Sequence, residues 1–208
     1  MNKNKKLLLA GFRIFFALLG FSAVVTEIAT LSERGKFIFE NFFSFFTIQS
    51  NLFAVVTLLI SALALAKDKP NDRISLLRGS STLNMILVGI IFSLLLAGLD
   101  VDLTAVPWDN TVLHYIMPAF VALDWLIDLP KIHISFKRAL VWMVFPFAYI
   151  AYTLIRGYFV GWYPYPFLNP VNNGYVGVGI VSGVMALGTI ALIWLLAKLT
   201  GPESFKKT

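Results

Sequence analysis

The chain contains no cysteine, and only 13% of its 208 residues are charged. Without cysteine there can be no disulfide framework and no thiolate metal site. Two histidines, His114 and His133, are the whole supply of imidazole ligands, so neither a metal nor another cofactor is expected. A soluble domain carries about twice this charged fraction. The longest polar stretches run to about a dozen residues, which leaves no room for a separate soluble domain beside the apolar runs. One domain over 1–208 is expected. The net charge of +6 is read as a membrane-orientation signal, not as a nucleic-acid footprint, because excess Lys and Arg mark the cytoplasmic face of membrane proteins.

What the chain has in abundance is apolar sequence, 58% of the whole. Runs at 7–29, 45–66, 80–99, 111–129, 139–156 and 175–197 each approach the ~20 residues that carry a helix across ~30 Å of hydrocarbon. Open strands in lipid would leave backbone groups unpaired, and no barrel-like alternation is present, so the spans are helices. The basic start MNKNKK precedes a run too long for a signal sequence, and that run is read as a retained span. The fold class is therefore all-α: a polytopic membrane protein with six transmembrane helices. Lys and Arg number 13 on the side holding the amino terminus, the second and fourth loops and the tail. The other side has 3: Arg34, Lys36 and Arg156. This bias predicts a multi-pass cell-membrane protein with both termini cytoplasmic. Arg13 lies inside the first run, where a long side chain is expected to snorkel towards the interface.

Polar groups inside apolar spans are costly and mark function. Near the outer ends fall Glu27, Thr47, Ser50, Asn51, Asn110, His114 and Arg156. Thr47, Ser50 and Asn51 share one helix face by their i, i+3, i+4 spacing, with Gln49 turned away. Asn110 and His114 share another at i, i+4. Pro118 cannot donate to the His114 carbonyl, so a bend beside the histidine is expected. The third loop carries Asp100, Asp102 and Asp109. In the fifth loop, Trp162, Tyr163 and Tyr165 suit an interfacial position, and Tyr158 to Pro170 are expected to form an aromatic lid, with Arg156 beneath it meeting a lipid carboxylate or Glu27. Gly179 and Gly183 permit close helix approach. Asp124 lies about 15 Å deeper than His114 and serves as a polar contact within the bundle. Asp128 and His133 are expected to be solvated.

A hydroxyl and an imidazole at one depth are the minimal pair for acyl transfer, with His114 taking the proton of Thr47 as it attacks a carbonyl. Asn110 would hold the imidazole tautomer, and Ser50, Asn51 or Tyr115 would donate to the oxyanion. The same residues admit other readings. Glu27, His114 and Asp124 could line a proton or cation path, although no inverted repeat or paired broken helices accompany them. A metal site built from His114 with Glu27 or Asp100 is poorly supplied with ligands.

The segments FFSFFTIQSNLF, WDNTVLHYIMPAFVALDWLI and GWYPYPFLNP resemble the bacterial six-transmembrane family called Pr-six-Pr. The resemblance covers nearly the whole chain, with matching span count and order. Its specificity rests on FTIQSN, NTVLHYIMP and YPYPFLNP taken together. That family is more distantly similar to the androgen-induced membrane hydrolases, threonine hydrolases that cleave fatty acid esters of hydroxy fatty acids. In those enzymes the catalytic Thr lies early in the second span, and the catalytic His follows an Asn at i+4 in the fourth. The resemblance therefore implies an intramembrane lipid ester hydrolase with Thr47 as nucleophile and His114 as base. Gln49, Ser50, Asn51 and Asp124 depart from the eukaryotic neighbours. The alternatives are a small-solute or proton-coupled transporter and a non-catalytic lipid-binding protein. Membrane lipids or an acyl-ester substrate are the expected partners, and nucleic acid is not.

Overall fold

The computed structural model describes residues 2–67, 71–97 and 106–201. Lys69, Asp100, Asp102, Lys206 and Lys207 lie outside the described residues. Among the described residues there is no strand, and 84% of them are helical. The helices are α1 (Lys3–Glu33), α2 (Phe39–Phe42), α3 (Phe46–Ala66), α4 (Asp72–Ile91), α5 (Pro107–Thr111), α6 (Met117–Ile127), α7 (Phe136–Ala139), α8 (Val144–Val160) and α9 (Pro170–Lys198). A π-helical turn, Phe92–Leu96, extends α4, and a second, Val112–Ile116, joins α5 to α6. Among the described residues, six continuous helices are long and apolar enough to cross a membrane. The protein is an all-α, multi-pass membrane protein.

The ends of these helices follow local chemistry. Asn2, Asn71, Ser135 and Asn169 each accept a backbone N–H in the first turn of the helix they precede, which satisfies donors the helix cannot satisfy itself. Gly161, at φ +70°, ends α8, a left-handed position that costs glycine no Cβ clash. Spans one, three, five and six begin before the apolar runs because the polar caps Asn2, Asn71, Ser135 and Asn169 set where they start, and span four begins at Pro107.

The chain folds as two compact units, Met1–Pro130 and Lys131–Thr208. The first holds four spans, with α1 against α3, α3 against α4 and α4 against α6. Its core gathers Ala17, Val24, Ile48, Val55, Leu58, Met85, Leu113, Met117 and Val121. Small residues let the helices approach: Gly20 sits on Met117, and Gly89 on Pro118. Large apolar side chains such as Leu18, Leu63 and Leu94 point outward, as they do where the solvent is lipid. In the second unit the turn after α8 folds back, and the Tyr163 ring covers Gly157 so closely that a Cβ there would overlap it. The Ile134 amide donates to the Thr200 hydroxyl at 2.9 Å. Gly179 and Gly183 meet no neighbour within 4 Å of a Cβ position.

Four expectations need correction, all in the first unit. Arg13 does not snorkel: it is 1% exposed and ion-paired within the bundle. Asp128 is not simply solvated, since both Arg13 and Arg78 reach it. Asp109 is no loop residue; it lies in the first turn of the fourth span and is fully buried. Arg78, counted with the second loop, belongs inside α4, and the charge bias survives its removal. His133 is exposed, as expected.

Candidate functional site

Thr47, Ser50 and Asn51 lie in the first two turns of α3, all buried. Gln49 turns away and donates to the Phe43 carbonyl at 2.8 Å, tying α3 to the short α2 before it. The face carrying Thr47 is turned towards the fourth span. Asn51 Nδ2 donates both to the Thr47 carbonyl, at 2.9 Å, and across the helix boundary to the Leu113 carbonyl, at 3.1 Å.

That Leu113 carbonyl is available because of Pro118. In the π-helical turn the Met117 amide bonds to the Val112 carbonyl, an i to i+5 pattern. Continued by one residue, the same pattern would bring the amide of residue 118 to Leu113. Proline has none. The sequence placed the disturbed carbonyl at His114; the widened register moves it to Leu113, where Asn51 supplies the missing donor. Gly89 on α4 leaves room for the Pro118 ring at this point.

The widened turn buries His114, which is 4% exposed. Its Nδ1 lies 3.1 Å from the Asn110 carbonyl. A carbonyl only accepts, so Nδ1 carries the proton and Nε2 presents a lone pair. The ring is held from the side by Phe92, stacked at 3.9 Å and 22°. It is thus the Asn110 backbone, and not its amide, that fixes the tautomer; Asn110 Oδ1 is buried without a hydrogen-bond partner.

Because one amide of Asn51 reaches both carbonyls, Thr47 O and Leu113 O lie at a common depth. Helical side chains lean towards the helix N-terminus. The Thr47 side chain and the His114 ring, which reaches back to Asn110, therefore lie on the same side of that depth, within about one turn of each other. Ser50 Oγ and Asn51 Oδ1 are buried and unpartnered close by. Tyr115 is exposed, and its ring lies at right angles to Phe92. Glu27 is buried on α1, which packs against the α5 turn that carries the buried Asp109.

Asp124 does not join this group. It accepts from Arg13 Nε at 2.7 Å and from Arg78 Nη2 at 3.0 Å, towards the end of the unit where α1 begins. Arg156 belongs to the second unit, where its guanidinium lies 5.0 Å from the Trp162 ring centroid, a cation–π contact. Among the described residues no three His, Cys, Asp or Glu side chains gather as a metal site.

Sequence reasoning missed Asp109, Phe92 and the two arginines. Pro107, two residues before Asp109, signals a helix start earlier than hydropathy does. Asp124 and Asp128, at i, i+4, share a face that required cationic partners, and Arg13 and Arg78 were the arginines available at that depth. Phe92 carried no signal beyond its apolar character. Compared with protein families, curated proteins and solved structures, the chain matches none.

Proposed function

We propose that the protein is an intramembrane lipid ester hydrolase, with Thr47 as nucleophile and His114 as general base. The carrying observation is the 3.1 Å contact between His114 Nδ1 and the Asn110 carbonyl. With Nδ1–H given to the Asn110 carbonyl, Nε2 is the ring atom left to accept a proton, at the depth of a buried threonine. Attack by the Thr47 oxygen on an ester carbonyl forms an acyl-threonine and releases the alcohol, which takes the proton held on Nε2. Water, deprotonated by the same nitrogen, then releases the acid and restores Thr47. The Phe-rich helices suit an acyl chain entering sideways from the membrane, and a fatty acid ester of a hydroxy fatty acid is the substrate class the resemblance implies.

The orientation belongs to the same proposal. The basic bias supports cytoplasmic termini in a cell membrane, with Thr47 and His114 then near the outer leaflet. A second reading, proton-coupled transport, is favoured by Ser81 and Asn84. These are buried on α4 between the two polar clusters, and their side-chain polar atoms lack partners. The deciding experiment is a panel of long-chain acyl esters offered to the purified protein. Turnover lost in Thr47→Ala and His114→Ala supports the hydrolase. No turnover across chain lengths and headgroups, with proton flux in proteoliposomes, supports transport.

A further inference from the structure

Two arginines and two aspartates close a box in the first unit. Arg13 Nε meets Asp124 Oδ1 at 2.7 Å, and Arg13 Nη2 meets Asp128 Oδ2 at 2.7 Å. Arg78 reaches Asp124 Oδ2 at 3.0 Å and Asp128 Oδ2 at 3.3 Å. Arg78 also donates to the backbone carbonyls of Asp128, at 2.8 Å, and Asp124, at 3.1 Å. Arg13 Nη1 donates to the Ser61 carbonyl at 3.4 Å. The charges cancel; α1, α4 and the end of α6 supply the four side chains, and α3 is tied to them through the Ser61 carbonyl.

The same four spans carry the candidate site at a fixed offset. Arg13 and Glu27, Thr47 and Ser61, Arg78 and Phe92, and His114 and Asp128 are each 14 residues apart. Two heptads bring a helix back to nearly the same face, about 21 Å along its axis. Every helix that contributes a group to the site thus contributes a group to the box, and on the unbroken helix α1 Arg13 and Glu27 lie on nearly the same face.

Apolar contacts alone set the axial position of a helix in lipid weakly, because lipid tails are as apolar as the side chains. A buried network that pairs only in one arrangement specifies register. Resting on the hydrolase reading, we propose that Arg13, Arg78, Asp124 and Asp128 are positioning residues. Their box fixes the axial register of the four helices and so holds Thr47 level with His114.

The absence of native cysteine makes the test direct. Thr47→Cys with His114→Cys is treated with a short bifunctional thiol reagent in the otherwise unaltered protein. The same pair is then examined with Arg13→Leu plus Asp124→Leu, which leaves Arg78–Asp128 neutral, and separately with Arg13→Lys, which keeps the charge but cannot span both carboxylates. The expected result is efficient cross-linking in the parent and a loss of about fivefold or more in each variant, with helix content retained. Parallel variants that keep Thr47 and His114 should lose kcat while KM for the ester changes little. Cross-linking at the parental rate in a folded variant overturns the positioning role. Should the double leucine variant fail to fold, Arg13→Lys decides. Absence of ester turnover in the native protein, with Thr47 and His114 intact, would strike the hydrolase reading alone, since the cross-linking readout does not depend on it.

Discussion

A single hydrogen bond carries most of the chemistry argued at the residue scale. Since the Asn110 carbonyl orients His114, Asn110→Ala should keep ester turnover within about threefold, because the backbone bond survives the loss of the amide. His114→Ala should lower turnover by about 10²–10⁴-fold, the usual worth of a positioned base. Comparing the two by steady-state kinetics separates a backbone role from a side-chain role. Asn51 is expected to matter more than Asn110, since Asn51→Leu leaves the Leu113 carbonyl buried without its donor. The cost should be about 1–3 kcal/mol, measurable as a lower melting temperature in detergent. Thr47 and His114 were legible in the sequence because polar groups in apolar runs stand out and helical spacing assigns their faces. Asp109 was not, since a carboxylate beside a proline at the edge of a run reads as a loop.

Element boundaries show why hydropathy alone falls short. It located the apolar centre of each span, and caps extended the helices beyond it, as Asn71 does for α4 and Asn169 for α9. Pro118 announced a disturbance in the fourth span, yet sequence could not say whether the helix would bend or widen. It widens into a π-helical turn at Val112–Ile116, and the freed carbonyl passes to Asn51. Pro118→Ala restores an amide that competes for that carbonyl. The expected outcome is a tighter helix with His114 rotated off Phe92 and turnover reduced by about tenfold or more, while thermal stability holds. Kinetics together with the imidazole nuclear magnetic resonance signals check this.

At the scale of the whole molecule, the first unit stacks a polar site and a neutral charged box on the same four helices. Breaking the box from one side leaves an unpaired buried charge, which costs about 3–5 kcal/mol. Arg13→Leu alone should therefore destabilise the protein far more than Arg13→Leu with Asp124→Leu, as thermal denaturation would record. The box was invisible to an orientation count that treated Arg13 and Arg78 as interfacial; it emerges only once three helices are brought together. Reporter fusions at the carboxyl terminus and within residues 99–110 should report opposite sides of the membrane. The central claim is that Thr47 attacks an acyl ester with His114 as its base. Its most direct test is a fluorophosphonate probe on the purified protein, with the labelled peptide read by mass spectrometry. The account predicts label on Thr47, abolished by His114→Ala in a protein that keeps its fold. Label on another residue, or full ester turnover by Thr47→Ala, would contradict it.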